Sequence, residues 1–395
     1  MPRRKIAVFT GNRSEYGLQF PILRAIAADP RLQYFLLAGG AHLEQDFGNT
    51  LAEIREDGFE VYREVRIETT HGSAAYTAQC IGMGILSVST ILDELRPDFL
   101  LVYGDRFESL AALIAATQMN IPVAHVEGGD YTEGGALDDS VRHAMTKLAH
   151  LHFATNPQSA ERVRGLGEEP WRILTVGLPS LDLAASGYYT NPEALASEFC
   201  LDSSRPIILF CQHSVATEAD EVGLQIAPAL AALRRLLEEG YQVIATYPND
   251  DAGGRTIIRE LERLQAEGHP GLRLVRSLGR HRFHGMLNMI GRLGRGAIVG
   301  NSSAAIKEAG AFACAAVNIG SRQRGRLRGA NVLDVPYEAE AVLNAVRRCT
   351  YDEDFRGLCR NSKSPYGAGD AGRRIAESLA TITIDRRLLQ KRMTY

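Results

Sequence analysis

Short apolar runs rich in β-branched and aromatic residues alternate with longer amphipathic stretches along nearly the whole chain, and this alternation limits the possible folds more than any other feature. Runs that are apolar throughout suit strands covered on both faces, and strands separated by helices pair in parallel. Strands are expected at residues 5–10, 35–38, 99–103, 123–126, 152–155 and 173–176, and again at 207–211, 242–246, 273–275, 297–299, 315–319 and 332–335. Between them lie stretches such as 224–239, where Ile226, Leu230, Leu233, Leu236 and Leu237 recur at helical spacing. The pattern is that of an α/β protein with two doubly wound, Rossmann-like domains and a cleft between them. A chain of 395 residues has material for two cores. The polar, turn-rich segment 188–192 places the hinge near residues 180–200. The expected domains are 1–185 and 186–370, with a closing helix in 371–395 that packs back on the first.

Charge excludes several partners. Lys and Arg number 44 against 47 Asp and Glu, so a formal net charge of −3 offers no general attraction to nucleic acid or an anionic membrane. Six scattered cysteines form no C-x-x-C pair, and the histidines show no zinc spacing, so reduced thiols and no metal site are expected. The basic start at Arg3-Arg4-Lys5 precedes an apolar run that ends at Gly11, too soon for a secretory signal. No apolar run of membrane-spanning length stands out, which points to a soluble cytoplasmic protein. There is no G-x-G-x-x-G or Walker A loop, the signatures of nicotinamide and ATP sites.

Ligands of open parallel sheets bind beyond the carboxyl ends of the strands, so the residues that follow each strand carry the functional information. In the first half these are Gly11-Asn12-Arg13-Ser14-Glu15, Gly104-Asp105-Arg106 and Glu127-Gly128-Gly129-Asp130; in the second, Gln212-His213-Ser214, Pro248-Asn249-Asp250-Asp251 and Gly300-Asn301-Ser302-Ser303. Asp105, Glu127 and the pair Asp138-Asp139, interleaved with Arg13, Arg106 and Arg142, suit proton transfer as a group, although each could be a structural ion pair. His213 is a candidate acid, base or phosphate contact, whereas His125, His150 and His152 have the positions of structural histidines. Ser302 and Ser303 open an expected helix over 304–312, and a helix amino end favours an anion. Arg322, Arg324, Arg326 and Arg328 follow the next strand and can neutralise a diphosphate. Glu308, within that helix, could accept ribose hydroxyls.

These pieces resemble the hydrolysing UDP-N-acetylglucosamine 2-epimerases of sialic and legionaminic acid synthesis. The likeness rests on GNRSEYG (11–17), GDRFE (104–108), HVEGGD (125–130), DDSVRHAMTKLAHLHF (138–153), GNSS (300–303), NIGSRQRGR (318–326) and SPYGAGDAGRRI (364–375) in order. It implies a glycosyltransferase-B-like fold and conversion of UDP-N-acetylglucosamine, or a related 2-acetamido sugar, to UDP and a free N-acetylmannosamine-type sugar through a glycal. By that resemblance Asp105, Glu127 and Asp138 are the catalytic carboxylates, with His213 facing them. Arg13, Arg106, Asn249, Ser302, Ser303, Glu308 and Arg322 hold the substrate, and Phe283, in a His281-Arg282-Phe283 loop, lies by the base. No cofactor is implied, and the partners are the nucleotide sugar and further copies in a homo-dimer or homo-tetramer. A longer spacing before Asp138 leaves Asp138 and Asp139 both open and hints at a sugar other than plain N-acetylglucosamine. Ser214 stands where relatives often have Pro. The rival readings are a non-hydrolysing epimerase, a glycosyltransferase of the same fold, and a non-catalytic nucleotide-sugar sensor. A loop over 130–137 is expected to order over bound ligand.

Overall fold

The computed structural model describes residues 2–44, 50–67, 74–131, 137–249 and 253–395. Most of the 130–137 loop, together with Asp250 and Asp251, lies outside the described residues. The chain divides into two compact units: unit 1 takes Met1–Tyr131, Leu137–Asp182 and Gly369–Tyr395, and unit 2 takes Leu183–Ala368.

Unit 1 is built on strands β1 (Arg4–Thr10), β2 (Leu32–Gly39), β3 (Val61–Val65), β4 (Phe99–Tyr103), β5 (Val123–Val126), β6 (Leu151–Ala154) and β7 (Ile173–Thr175). They form one parallel sheet in the order β3-β2-β1-β4-β5-β6-β7, with Val8 beside Leu36 on one flank of β1 and Leu101 on the other. Every residue of β4 and β5 is buried, as strands with helices on both faces require. β3 was not expected from the sequence. It lies at the sheet edge, where the exposed Arg63 and Glu64 replace the apolar run that marks a central strand.

One face of the sheet carries a core in which Val88, Leu92 and Leu95 of the helix Ala74–Leu95 meet Ala111 and Ala112 of the helix Phe107–Gln118. By length and composition the stretch Ala75–Leu95 could cross a membrane, contrary to the sequence expectation. Gly82, Gly84, Ser87, Ser89 and Thr90 interrupt its apolar run and hid it, and its Val88 and Leu92 are fully buried among the core residues. Elsewhere in the unit the helix Arg13–Ala28 packs against Ala371–Thr381, so residues late in the chain complete this unit.

Unit 2 holds β8 (Ile207–Cys211), β9 (Gln242–Thr246), β10 (Leu272–Val275), β11 (Gly296–Gly300), β12 (Ala316–Ile319) and β13 (Val332–Val335), again all parallel, in the order β10-β9-β8-β11-β12-β13. The helices Val222–Glu238 and Ala339–Tyr351 supply one core, and Gly279–Leu293 supplies Met286, Leu287 and Ile290 to another. In both sheets the order reverses next to the first strand laid down, between β1 and β4 and between β8 and β11. Loops leaving such neighbours run in opposite directions and open a crevice at the carboxyl edge.

Candidate active site

The crevice of unit 1 is bordered by the loops after β1 and β4. Asn12 caps the helix Arg13–Ala28 by accepting the Glu15 N–H at 3.0 Å, which turns Arg13 outward and Glu15 inward. Arg13 is half-exposed and pairs with Glu53 at 2.7 Å. The buried Glu15 accepts from the Gly11 N–H at 2.9 Å, the Gln19 amide at 3.0 Å and the Ser109 hydroxyl at 2.7 Å. Burial, reinforced by neighbouring Glu108 against the hydrogen bonds from Ser109 and Gly11, raises its carboxyl to about 8. Glu15 therefore holds its proton at neutral pH.

Glu108 is fully buried, with one oxygen 3.3 Å from Arg106 and the other without a hydrogen-bond partner among the described residues. Burial opposes the Arg106 charge, but Glu108, Asp138 and Glu15 outweigh it and raise its pKa. Glu15 and Glu108 were not among the expected site residues. Both stand in the strand-end motifs that drew attention to Arg13, Asp105 and Arg106, so position was the available signal; which acids turn inward was not.

The helix Leu137–Leu148 brings further charge to this edge. Buried Arg142 is ion-paired with Asp105 through one nitrogen and with Asp139, at 2.7 Å, through another. The structure thus separates the two candidate aspartates: Asp139 is buried on Arg142, and Asp138 is exposed on the Arg106 side. Asp105 keeps 22% of its side chain accessible, enough to meet a ligand. Glu127 follows β5 in the left-handed region at φ +69° with its side chain buried, a conformation that costs a non-glycine residue about 1–3 kcal/mol and recurs at functional positions. Three histidines of this unit serve the frame: His125 Nε2 donates to the Gly104 carbonyl at 2.7 Å, His150 Nδ1 accepts the Val123 N–H at 3.1 Å, and His152 lies 3.0 Å from Glu168. Burial lowers His125 to about 4.

Neutral groups dominate the unit 2 edge. Gly300 leaves β11 at φ +129°, and a Cβ there would lie 2.1 Å from the Cys211 carbonyl, so only glycine fits beside β8. The fully buried Asn301 then clamps the loop after β8, accepting the His213 N–H at 2.7 Å and donating to the His213 carbonyl at 2.8 Å. His213 Nδ1 lies 2.9 Å from the Asn249 backbone nitrogen and 3.1 Å from Asn249 Oδ1, and Nε2 lies 3.4 Å from Cys211 Sγ. Burial, then Arg322, lowers the imidazole to about 3 against the hydrogen bond to Asn249, so His213 is neutral at physiological pH.

The basic loop reaches the same place. Arg322 donates to the Asn301 carbonyl at 3.3 Å, and buried Gln323 donates to it at 2.9 Å. Two expectations change here. The helix over 304–312 is a five-residue helix, Ser303–Lys307, followed by a tighter turn, Ala309–Phe312. It breaks at Glu308, whose carboxylate is 3.4 Å from His284 Nε2, and the chain turns through Ala309–Phe312 before β12. His281, Arg282 and Phe283 stand in the first turns of the helix Gly279–Leu293 rather than in a loop, and Phe283 packs half-buried against the core. Ser302 caps the short helix by accepting the Ala304 N–H at 3.4 Å, and Ser303 is its first residue.

Two doubly wound parallel sheets, each with its polar residues gathered at the switch point, define an α/β protein of the glycosyltransferase-B-like class. Within that class the chain belongs to the UDP-N-acetylglucosamine 2-epimerase family, whose sequence pattern matches residues 24–380. It is 32% identical over 392 residues to the UDP-N,N'-diacetylbacillosamine 2-epimerase (hydrolyzing) of Legionella pneumophila, covering 99% of this chain and 100% of that one. The GDP/UDP-N,N'-diacetylbacillosamine 2-epimerase (hydrolyzing) of Campylobacter jejuni is 28% identical over 334 residues, 85% of each chain. Among solved structures, the UDP-GlcNAc 2-epimerase from Neisseria meningitidis bound to UDP-GlcNAc superposes with a TM-score of 0.79 over 95% of this chain and 99% of that one, at 16% identity, a likeness of fold.

Proposed function

We propose that the chain is a hydrolysing 2-epimerase that converts UDP-N-acetylglucosamine, or a closely related 2-acetamido nucleotide sugar, to the nucleoside diphosphate and a free manno-configured sugar. The observation that carries this reading is the set of acids at the unit 1 edge, Asp105 on Arg142, Glu127 in a strained conformation and Asp138 beside Arg106. A glycosyltransferase would have less use for three carboxylates there. The named substrates of the Legionella and Campylobacter relatives favour a 2,4-diacetamido-6-deoxy sugar.

The proton on carbon 2 is not acidified by a carbonyl, so its removal has to accompany departure of the nucleotide. A carboxylate takes that proton, the C–H electrons form the C1–C2 double bond, and the C1–O pair leaves with the diphosphate. Water then adds its oxygen to carbon 1 of the glycal while an acid protonates carbon 2 from the opposite face. The acid and the base must differ in protonation state, and Asp105, Glu127 and Asp138 share these roles. At the unit 2 edge Arg322 and the neutral imidazole of His213 stabilise charge growing on the leaving diphosphate, with Ser302 and Ser303 beside them. Arg13, Arg106, Asn249, Phe283 and Glu308 complete the proposed substrate contacts. The reaction is redox-neutral and needs no electron carrier.

Turnover in heavy water tests the chemistry. The released sugar should carry one deuterium at carbon 2, and oxygen-18 from water should enter at carbon 1 and not the diphosphate. A glycosyltransferase or simple hydrolase leaves carbon 2 unlabelled, and a non-hydrolysing epimerase labels it without releasing UDP.

A further inference from the structure

The helix Leu137–Leu148 places Asp138, Asp139 and Arg142 at one end, and its other end meets the segment Arg386–Tyr395. A helix leaves its last carbonyls without intrahelical partners and gathers partial negative charge there. The Lys391 ammonium occupies that position, donating to the carbonyls of Thr146 at 3.3 Å, Lys147 at 2.7 Å and Ala149 at 2.7 Å. Its counter-ion is the fully buried Glu168, 2.7 Å away, which also binds Lys147 at 2.7 Å and His152 at 3.0 Å. Arg172, fully buried, ties the same segment down through the carbonyls of Arg387 at 2.6 Å and Leu388 at 2.8 Å, and reaches the His150 carbonyl at 3.1 Å. Trp171 is packed between the guanidinium groups of Arg172 and Arg387, 4.2 and 4.5 Å from its ring.

We propose that the segment Arg386–Tyr395 is a strap and Lys391 a positioning residue, which together set the reach of the Asp138-Asp139-Arg142 end of this helix; the functional part of this inference rests on the 2-epimerase reading above. A second connection runs through the core. The Thr146 hydroxyl bonds the Arg142 carbonyl at 3.0 Å and lies 3.4 Å from His125 Nδ1, whose Nε2 donates to the carbonyl of Gly104, next to Asp105. Both partners of the Asp105–Arg142 pair are therefore tied to Thr146, whose carbonyl Lys391 holds. A helix whose last carbonyls are held by one ammonium, itself paired with buried Glu168, has little freedom to slide or rotate. Releasing that end would shift the acids at the other by fractions of an ångström, without touching unit 2, where the nucleotide contacts are proposed.

The test compares Lys391→Met, which keeps the aliphatic stem, and Lys391→Arg with the parent enzyme. Misplacement of catalytic groups by about 1 Å costs ~100-fold, so Lys391→Met should lower kcat about 10- to 100-fold, with KM and UDP affinity within about twofold of the parent. Lys391→Arg should recover most of kcat. Trp171 is the single tryptophan of the chain, so its emission reports independently whether the segment has left. Released emission with kcat within twofold of the parent overturns the positioning role, as does a parallel loss of kcat and UDP affinity. Should Lys391→Met fail to fold, Arg387→Ala removes only the outer stack on Trp171, and a kcat unaffected by a released segment again overturns the role. If the parent releases no sugar from any nucleotide sugar, the 2-epimerase reading fails alone. The strap then stands or falls on amide exchange in residues 137–148, which should quicken in Lys391→Met; unchanged exchange sinks it.

Discussion

The two switch points have the same topology and opposite chemistry. At the carboxyl edge of unit 1 the inward groups are charged or titratable: Asp105 and Asp139 on Arg142, Glu108 on Arg106, and a protonated Glu15. At the edge of unit 2 neutral groups surround the cation of Arg322, with Asn301 clamping His213 and Gln323 and Arg322 anchored on the Asn301 carbonyl. Buried charges in close pairs push pKa values apart, which suits groups that must exchange protons. Neutral hydrogen bonds hold a shape without competing for a proton, which suits a site that grips an anion and releases it. On the proposed 2-epimerase reading, the same fold element serves reaction in one unit and recognition in the other.

The largest expected effect breaks the comparison on the charged side. Asp105→Asn keeps the shape and removes the charge, so turnover should fall by the ~100- to 10,000-fold typical of losing an acid–base group. UDP affinity measured by calorimetry should stay within about twofold, and a parallel loss of binding would show that the two edges do not divide the work. On the neutral side Gly300→Ala forces a Cβ against the Cys211 carbonyl at a φ that side chains rarely adopt, and should cost unit 2 about 3 kcal/mol. Scanning calorimetry should show the unit 2 transition moving down, while equal shifts of both transitions would deny the units separate stability. A smaller change sharpens the anion site: Arg322→Ala should weaken UDP binding by about 1.5–3 kcal/mol, the range for a hydrogen bond to a charged group, and an unchanged dissociation constant would remove Arg322 from it.

The remaining effect concerns pH. With the folded Glu15 carboxyl near 8 against an ordinary 4.5, the folded state holds the extra proton between those values. The stability contributed by the neutral carboxyl is complete below about pH 4.5 and declines as pH rises to about 8. Glu15→Gln mimics the neutral acid, so it should flatten the fall in melting temperature between pH 5 and 8. A slope identical to the parent's would mean that Glu15 is ionised in the folded protein.

How far the sequence reached is clearest element by element. Central strands such as β4 and β8 were legible to the residue because burial on both faces leaves an uninterrupted apolar run. β3 was not, since an edge strand tolerates Arg63 and Glu64 and shows no such run. The stop at Glu308 was hidden as well, because Ala304 to Phe312 is a good helical composition and only the packing around it ends the helix. Placement beyond the strand ends followed from period and order alone, so Asp105, Glu127, His213 and Ser302 could be named as candidates from one dimension.

By itself the sequence determined the α/β class, the division of the chain between two sheets, and the short list of polar residues at the strand ends. These depend on local hydrophobic period and order along the chain, which no distant contact alters. The tertiary structure decided which charges meet: that Arg142 takes Asp105 and Asp139 together, that Glu15 turns inward and keeps its proton, and that Lys391 closes the helix ending 243 positions before it. Charge pairing and desolvation depend on separations of a few ångströms between residues far apart in the chain, and only the folded backbone sets those distances.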